Sequence, residues 1–309
     1  MSVASLVGDV GGIPLQNPVL LAAGTAAYGD ELDGVMDLES LGGLVTKAVS
    51  LEARPGAPSP RVADFPGGMI NAIGLANPGV EAVRATHLPW LAANVRRARV
   101  LVNVVGYAVE DYAAVITRLD DAPGKQGYEL NVSCPNVKAG GMEFGADIGA
   151  LEDLVRRARG ATDLPLFVKL SPTLPDLVRS AEVALGAGAT GLTLVNTWPG
   201  LVIDVDTRKP ALGFGTGGVS GPGLLPIGLL ATWKVWKATH APIIGVGGIA
   251  SANDVLQYLM AGASAVGIGT AALRDPRLPH RVVRGLEAWC RDTGVAALSS
   301  LRGTLQWPT

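Results

Sequence analysis

APIIGVGGIASANDVLQYLMAGASAVGIGT, residues 241–270, holds two short apolar runs around one longer segment. APIIGVGG and SAVGIGT are near-continuously apolar rather than alternating, the pattern of parallel strands buried on both faces. Between them, SANDVLQYLMAGA opens on Ser251 and closes on an Ala-Gly pair, which are start and stop signals for a helix. Strand, helix and second strand in this order form the repeating unit of an α/β fold.

The same alternation extends toward the N-terminus. PVLLAAG (18–24), GGLVTK (42–47), ARVLVNVVG (98–106), GYELNVS (127–133), LPLFVKLS (164–171) and TGLTLVNT (190–197) bring the strand-like runs to eight. VEDYAAVITRLD, DIGALEDLVRRARG and LPDLVRSAEVALGAG supply helical patterns between them. Eight strand–helix units read as a (β/α)₈ TIM barrel, with residues 1–309 as a single domain. LVGDVGGIPLQN (6–17), with its Gly-Gly turn, reads as a short N-terminal β-hairpin ahead of the first barrel strand. A dinucleotide-binding fold would lean on GVGGI and GFGTGG, but neither gives GxGxxG with an acidic residue about 20 positions on. Two connections are long, 48–79 after the second strand and 197–223 after the sixth. Barrel sites are built from the loops after strands, so both are expected to fold over the mouth.

Composition narrows the class. Of 309 residues, 48% are hydrophobic, 17% are charged and 41 are glycine, which suits packed elements joined by glycine-dependent turns and excludes disorder. Net charge is −2 and Lys and Arg form no long run, so nucleic acid is not an expected partner. MSVASLVGDVGG has no basic segment followed by a sustained apolar one, and no run reaches the roughly 18 apolar residues of a membrane span. With two cysteines, Cys134 and Cys290, the chain fits a reducing cytoplasm, and Cys290, inside a helical pattern, reads as a core filler.

The strand ends carry the chemistry. VTK ends in Lys47, LVN in Asn103, ELN in Asn131, FVK in Lys169 and the second LVN in Asn196. A lysine ending a buried strand is costly to desolvate unless it meets an anion or reaches bulk water, and both readings stand. Three amides at equivalent places can read a flat, amide-containing ring. GVGGI and GIGTAA end the last two strands, where small residues let backbone N–H groups approach a phosphate; tight turns without a ligand are the alternative. No His/Asp/Glu/Cys cluster has ligand spacing, so no metal is expected. His87, His240 and His280 lie in or beside helices and read as structural. Glu129 points to the same side as Asn131 with no second strand-end carboxylate, which disfavours glycosidase chemistry. A phosphorylated organic cofactor fits this set. Cys134, three residues past a strand end, is either a proton-accepting thiol on a mouth loop or a buried structural one.

VTKAVSLEARPG, NAIGLANPG, ELNVSCPNVKAGGMEFG, FVKLSP, VNT, GGVSGPG, GVGGI and GIGTAA, spread over nearly the whole chain, together resemble the catalytic subunit of class 1B dihydroorotate dehydrogenase. That resemblance implies an FMN-dependent oxidoreductase oxidising dihydroorotate to orotate in pyrimidine biosynthesis. It implies Cys134 as the base for the C5 proton, with the C6 hydride passing to FMN. Substrate would be held by Lys47, Asn71, Ala72, Ile73, Gly74, Leu75, Asn131, Asn196 and Thr197. FMN would contact Ala23, Lys47, Ala48, Asn103, Asn131, Lys169, Val195, Gly221, Gly247, Gly248, Gly269 and Thr270. Ala23 stands where a serine is common in this family and Ala76 where a glutamine is frequent. The resemblance also implies a homodimer and a separate electron-transfer subunit that carries FAD and a 2Fe-2S cluster and passes electrons to NAD⁺. Two cysteines are too few for a cluster in this chain, and eight units spent on one barrel leave no second nucleotide domain. The competing readings are another FMN barrel reductase acting on a pyrimidine, a Schiff-base enzyme using Lys169, and a binding protein that would leave Cys134 without a task.

Overall fold

The computed structural model describes residues 5–133, 135–136 and 142–308. Eight strands close a parallel barrel: β1 Val19–Leu21, β2 Gly43–Val45, β3 Arg99–Val104, β4 Gly127–Asn131, β5 Leu166–Leu170, β6 Gly191–Leu194, β7 Ile243–Val246 and β8 Ala265–Ile268. Each pairs with the next in sequence, and β8 returns to β1 through Val266↔Val19 and Ile268↔Leu21. Helices α1 Leu88–Asn94, α2 Val109–Leu119, α3 Ile148–Gly160, α4 Leu177–Gly186, α5 Leu225–Thr239, α6 Ala252–Met260, α7 Thr270–Arg274 and α8 Leu278–Thr293 follow β2 to β8, the last two after β8. Local capping sets several starts: Asp147, Asp176 and Ser251 each accept from a backbone N–H in the first turn of α3, α4 and α6.

One of the eight expected units differs. Between β1 and β2 the chain forms only 3₁₀ turns, at Asp30–Leu32 and Leu38–Ser40. Gly24, Gly29 and Gly34 all have positive φ there, and a helix cannot run through left-handed residues at that spacing.

The period of two along each strand separates two cores. Val100, Val102, Tyr128, Leu130, Leu166, Val168 and Leu192 face the helices. Leu20, Val45, Leu101, Phe167, Ile244 and Ala265 face inward and pack with Val10, Ile13 and Leu15. Those three belong to the N-terminal hairpin, Gly8–Val10 against Ile13–Leu15, whose turn uses Gly11 and Gly12 at φ 60° and 85°. The hairpin therefore seals the N-terminal end of the barrel and leaves the other end for a site.

The two long connections meet there. Within the first, Val62–Phe65 pairs with Gly68–Asn71, and within the second, Trp198–Gly200 pairs with Gly217–Ser220; Gly68–Asn71 against Gly217–Ser220 then joins the two into one four-stranded antiparallel sheet. The joining pair gives each inner strand its second set of backbone partners.

Candidate active site at the barrel mouth

Moving up the barrel interior, the inward side chains change from apolar to polar. Above Leu101 and Phe167 stand Asn103, Glu129 and Thr193, each 1% exposed. Glu129 Oε1 accepts from Asn103 Nδ2 at 2.7 Å and Oε2 accepts from Thr193 Oγ1 at 2.7 Å. The Oδ1 of Asn103 is buried without a partner among the described residues. Leaving such an acceptor unmet costs about 1–3 kcal/mol, a cost that a ligand donor would remove.

One step higher, Lys169 lies opposite Asn131 and Thr193 in the β5 register. Lys169 is 7% exposed, and among the described residues it makes no ion pair or side-chain hydrogen bond. Its ammonium N–H donors are therefore open to an anionic or strongly accepting partner. Lys47 follows β2 on the same inward phase and is half-buried. Its backbone N–H donates to Ala27 at 2.6 Å, and the next carbonyl, Ala48, accepts from the Tyr28 hydroxyl at 2.9 Å. Tyr28, stacked on His87 at 4.4 Å and held through the His87–Asp30 pair at 3.0 Å, braces the Lys47–Ala48 segment. The sequence reading missed Tyr28 and Thr193; neither lies in a strand-end position that would single it out.

The rim is built by the long loops. Asn196 Nδ2 donates to Asn131 Oδ1 at 3.4 Å, which joins the ends of β6 and β4. Asn71 pairs in register with Gly218 and donates to its carbonyl at 3.3 Å. Gly218 in turn packs against Thr197 so closely that a Cβ would overlap the Thr197 side chain. The Asn71–Leu75 loop ends in two left-handed residues, Gly74 and Leu75, at φ 66° and 57°. Asn77 fastens it: its Nδ2 donates to Leu75 O and Ser50 Oγ, both at 2.8 Å, while its Oδ1 accepts from Gly79 N at 2.9 Å. Ala76 is buried at 9% exposure beside Gly56.

Glycine turns form the opposite side. Gly247 and Gly248 follow β7 at φ 130° and 73°, and a Cβ on Gly248 would meet Leu225 Cβ at 2.7 Å. Gly221 packs on Gly68, and Thr270 Oγ1 donates to Ser220 Oγ at 2.7 Å. These contacts bring Gly221, Gly247, Gly248, Gly269 and Thr270 to one place. Among the described residues, no hydrogen bond occupies the N–H groups of Gly247, Gly248, Gly269 or Thr270. Ala23 lies at the end of β1 against the inward core, and Val195, 2% exposed, donates to Val246 O at 3.0 Å.

Cys134 lies outside the described residues. Its flanks do not: Pro135–Asn136 pairs antiparallel with Met142–Glu143, and Ser133 N donates to Asn131 Oδ1 at 3.3 Å. Burial raises the Glu143 carboxyl above its usual range, and a Ser171 hydrogen bond only partly opposes this. Cys290 is buried in α8, as a core filler should be. His240 caps α5 in the left-handed region and His280 lies in α8, both away from the mouth. No helix among the described residues is long and apolar enough to cross a membrane.

A sequence profile described as dihydroorotate dehydrogenase matches residues 5–289. A Pelobacter propionicus protein named dihydroorotate dehydrogenase B (NAD(+)), catalytic subunit, is 46% identical over 298 residues, covering 96% of this chain and 97% of its own. Proteins of the same name from Trichlorobacter lovleyi and Geotalea daltonii are 43% and 42% identical. The second spans 99% of this chain and all of its own length.

Proposed function

The chain belongs to the dihydroorotate dehydrogenase family, and from that premise we propose that it is the catalytic subunit of an NAD-linked enzyme that oxidises dihydroorotate to orotate. The observation that carries this reading is the buried Lys169, which makes no ion pair among the described residues, beside the Asn131 amide at the barrel mouth.

The residues present fit FMN. The unengaged N–H groups at Gly247, Gly248, Gly269 and Thr270 suit a phosphate, since backbone donors need no side chain between them and the anion. Lys169, Lys47, Asn103 and Asn131 suit the polar edge of the ring, with Ala23, Ala48, Val195 and Gly221 completing its walls. When bound, FMN supplies the two-electron acceptor for the hydride leaving C6 of the substrate.

The chain's own residues do the rest. Asn71, Ala72, Ile73, Gly74 and Leu75, with Asn131, Asn196 and Thr197, hold the dihydropyrimidine by amide-to-amide hydrogen bonds, and Lys47 neutralises its carboxylate. Cys134 takes the C5 proton, which makes it the general base. The long-loop sheet covers the mouth and limits water. The whole chain, residues 1–309, acts as one catalytic domain. It works in the cytoplasm as a homodimer with a separate subunit whose FAD and 2Fe-2S cluster carry electrons to NAD⁺.

The test is anaerobic titration of the FMN-loaded chain with dihydroorotate. Bleaching of the flavin is expected, slowed by about 10² to 10⁴ in Cys134→Ala, the range of a lost general base. The isolated chain should reduce artificial dyes but not NAD⁺. A flavin left oxidised by dihydroorotate would reject the activity, and native-rate bleaching in Cys134→Ala would reject the base.

A further inference from the structure

We infer that Glu129 is a positioning residue for the cofactor site, acting through Asn103 by fixing which end of that side-chain amide remains available to a bound ring. The inference rests on reading the mouth as an FMN site and adds a residue that the family-based assignment does not include.

The argument begins with burial. Glu129 sits inside the barrel at 1% exposure, and none of the described residues forms an ion pair with it. A carboxylate in such a place is retained only if its oxygens are well occupied. Both are: Oε1 by Asn103 Nδ2 and Oε2 by Thr193 Oγ1, each at 2.7 Å. Neighbouring strands hold the three groups together, with Asn103 opposite Glu129 in the β3–β4 ladder.

An amide side chain has one donating end and one accepting end, and these look alike in shape. A carboxylate offers acceptors, so Asn103 must turn its NH₂ toward Glu129. Its Oδ1 is thereby turned away, and it is buried with no partner among the described residues. The backbone of Asn103 cannot relieve it, because the N–H donates to Thr46 Oγ1 at 3.2 Å and the carbonyl accepts from Val49 N at 2.9 Å. Asn103 therefore keeps one acceptor unspent among the described residues, available to a donor from a bound ring. A ring N–H, of the kind found on the pyrimidine edge of an isoalloxazine, is the class of donor that fits. Glu129 does not need to touch that ring to control it.

Glutamine at 129 has nearly the same shape, but one of its two polar ends donates. In Glu129→Gln, Asn103 can turn over, offer Oδ1 to the new NH₂ and present its own NH₂ to the ring. The experiment is FMN titration of the flavin-stripped full-length chain, followed by quenching of flavin fluorescence, on the wild type, Glu129→Gln, Asn103→Ala and the double variant. Each single change is expected to weaken FMN by about tenfold, the effect of one hydrogen bond. The double variant should be no weaker than the worse single one, because Glu129 has no effect once Asn103 is gone. Thr193→Val, which frees one carboxylate oxygen and loosens the orientation, should weaken FMN by a smaller factor. Circular dichroism checks that each variant is folded.

Unchanged affinity in Glu129→Gln, or losses that multiply in the double variant, would overturn the inference. If Glu129→Gln does not fold, Thr193→Val decides, and native affinity there counts against it. A wild-type chain that takes up no FMN would instead remove the cofactor reading on which the inference stands.

Discussion

Individual residues at this mouth are placed for a ligand or for the loop they shape. Lys169 is the clearest case: it is 7% exposed and, among the described residues, makes no ion pair or side-chain hydrogen bond. Lys169→Met should weaken FMN by tenfold or more while leaving the flavin-free chain folded; FMN titration and thermal unfolding without FMN measure both. Native FMN affinity in Lys169→Met would remove Lys169 from the cofactor site. Gly74 illustrates the opposite constraint. Its φ is 66°, and a Cβ would fall on the Ala57 backbone nitrogen, which is held by its bond to Ile73 O at 3.1 Å. Gly74→Ala should cost about 2 kcal/mol or more in denaturant unfolding, from left-handed strain plus the overlap. Lys169 stood out in the sequence because it interrupts an apolar run at a strand end. Glu129 could be assigned a side of its strand but not a partner, since Asn103 and Thr193 are 26 and 64 residues away.

At the scale of elements, the loops after β2 and β6 turn a generic barrel end into a shaped mouth. Asn77 is the fastener of the first, and buried Asn77→Ala would leave Ser50 and Leu75 short of a donor. A loss of about 1–3 kcal/mol in chemical denaturation is expected, with faster proteolysis between residues 48 and 79. The Pro135–Asn136 and Met142–Glu143 pair, which flanks the loop proposed to carry the base, carries a pH dependence. Burial raises the Glu143 carboxyl, so the folded chain holds that proton more tightly than the unfolded chain does. The stabilisation is therefore complete below the ordinary glutamate range and fades as pH rises through the raised value. Melting temperature should fall across that interval in the wild type and fall less in Glu143→Gln; equal slopes would mean that Glu143 contributes nothing. The existence of both loops was legible from their length and from the barrel rule. Their pairing with each other was not, because residues 68–71 meet 217–220 across nearly half the chain.

For the molecule as a whole, the sealed end and the open end divide the work. The hairpin and the inward apolar side chains stabilise one end, while polar groups occupy the other. Leu201, Ile203, Val205 and Phe214 are 53% to 80% exposed on the β6 loop, four large apolar side chains open to a partner surface. The proposed homodimer should sediment at twice the 31.6 kDa chain mass, and Ile203→Glu with Val205→Glu should shift it to monomer. A wild type that sediments as a monomer at micromolar concentration would refute the dimer. The sequence by itself determined the α/β class, the eight barrel strands and the order of the strand-end lysines and amides, because strand burial and turn chemistry are local and leave a local pattern. It did not determine the missing first helix, which three positive-φ glycines replace by 3₁₀ turns. Only the tertiary structure decided that Glu129, Asn103 and Thr193 form one hydrogen-bonded layer under Lys169. Such a layer depends on strand register and barrel closure, which bring distant residues to the same height, and nothing in the spacing along the chain encodes that height.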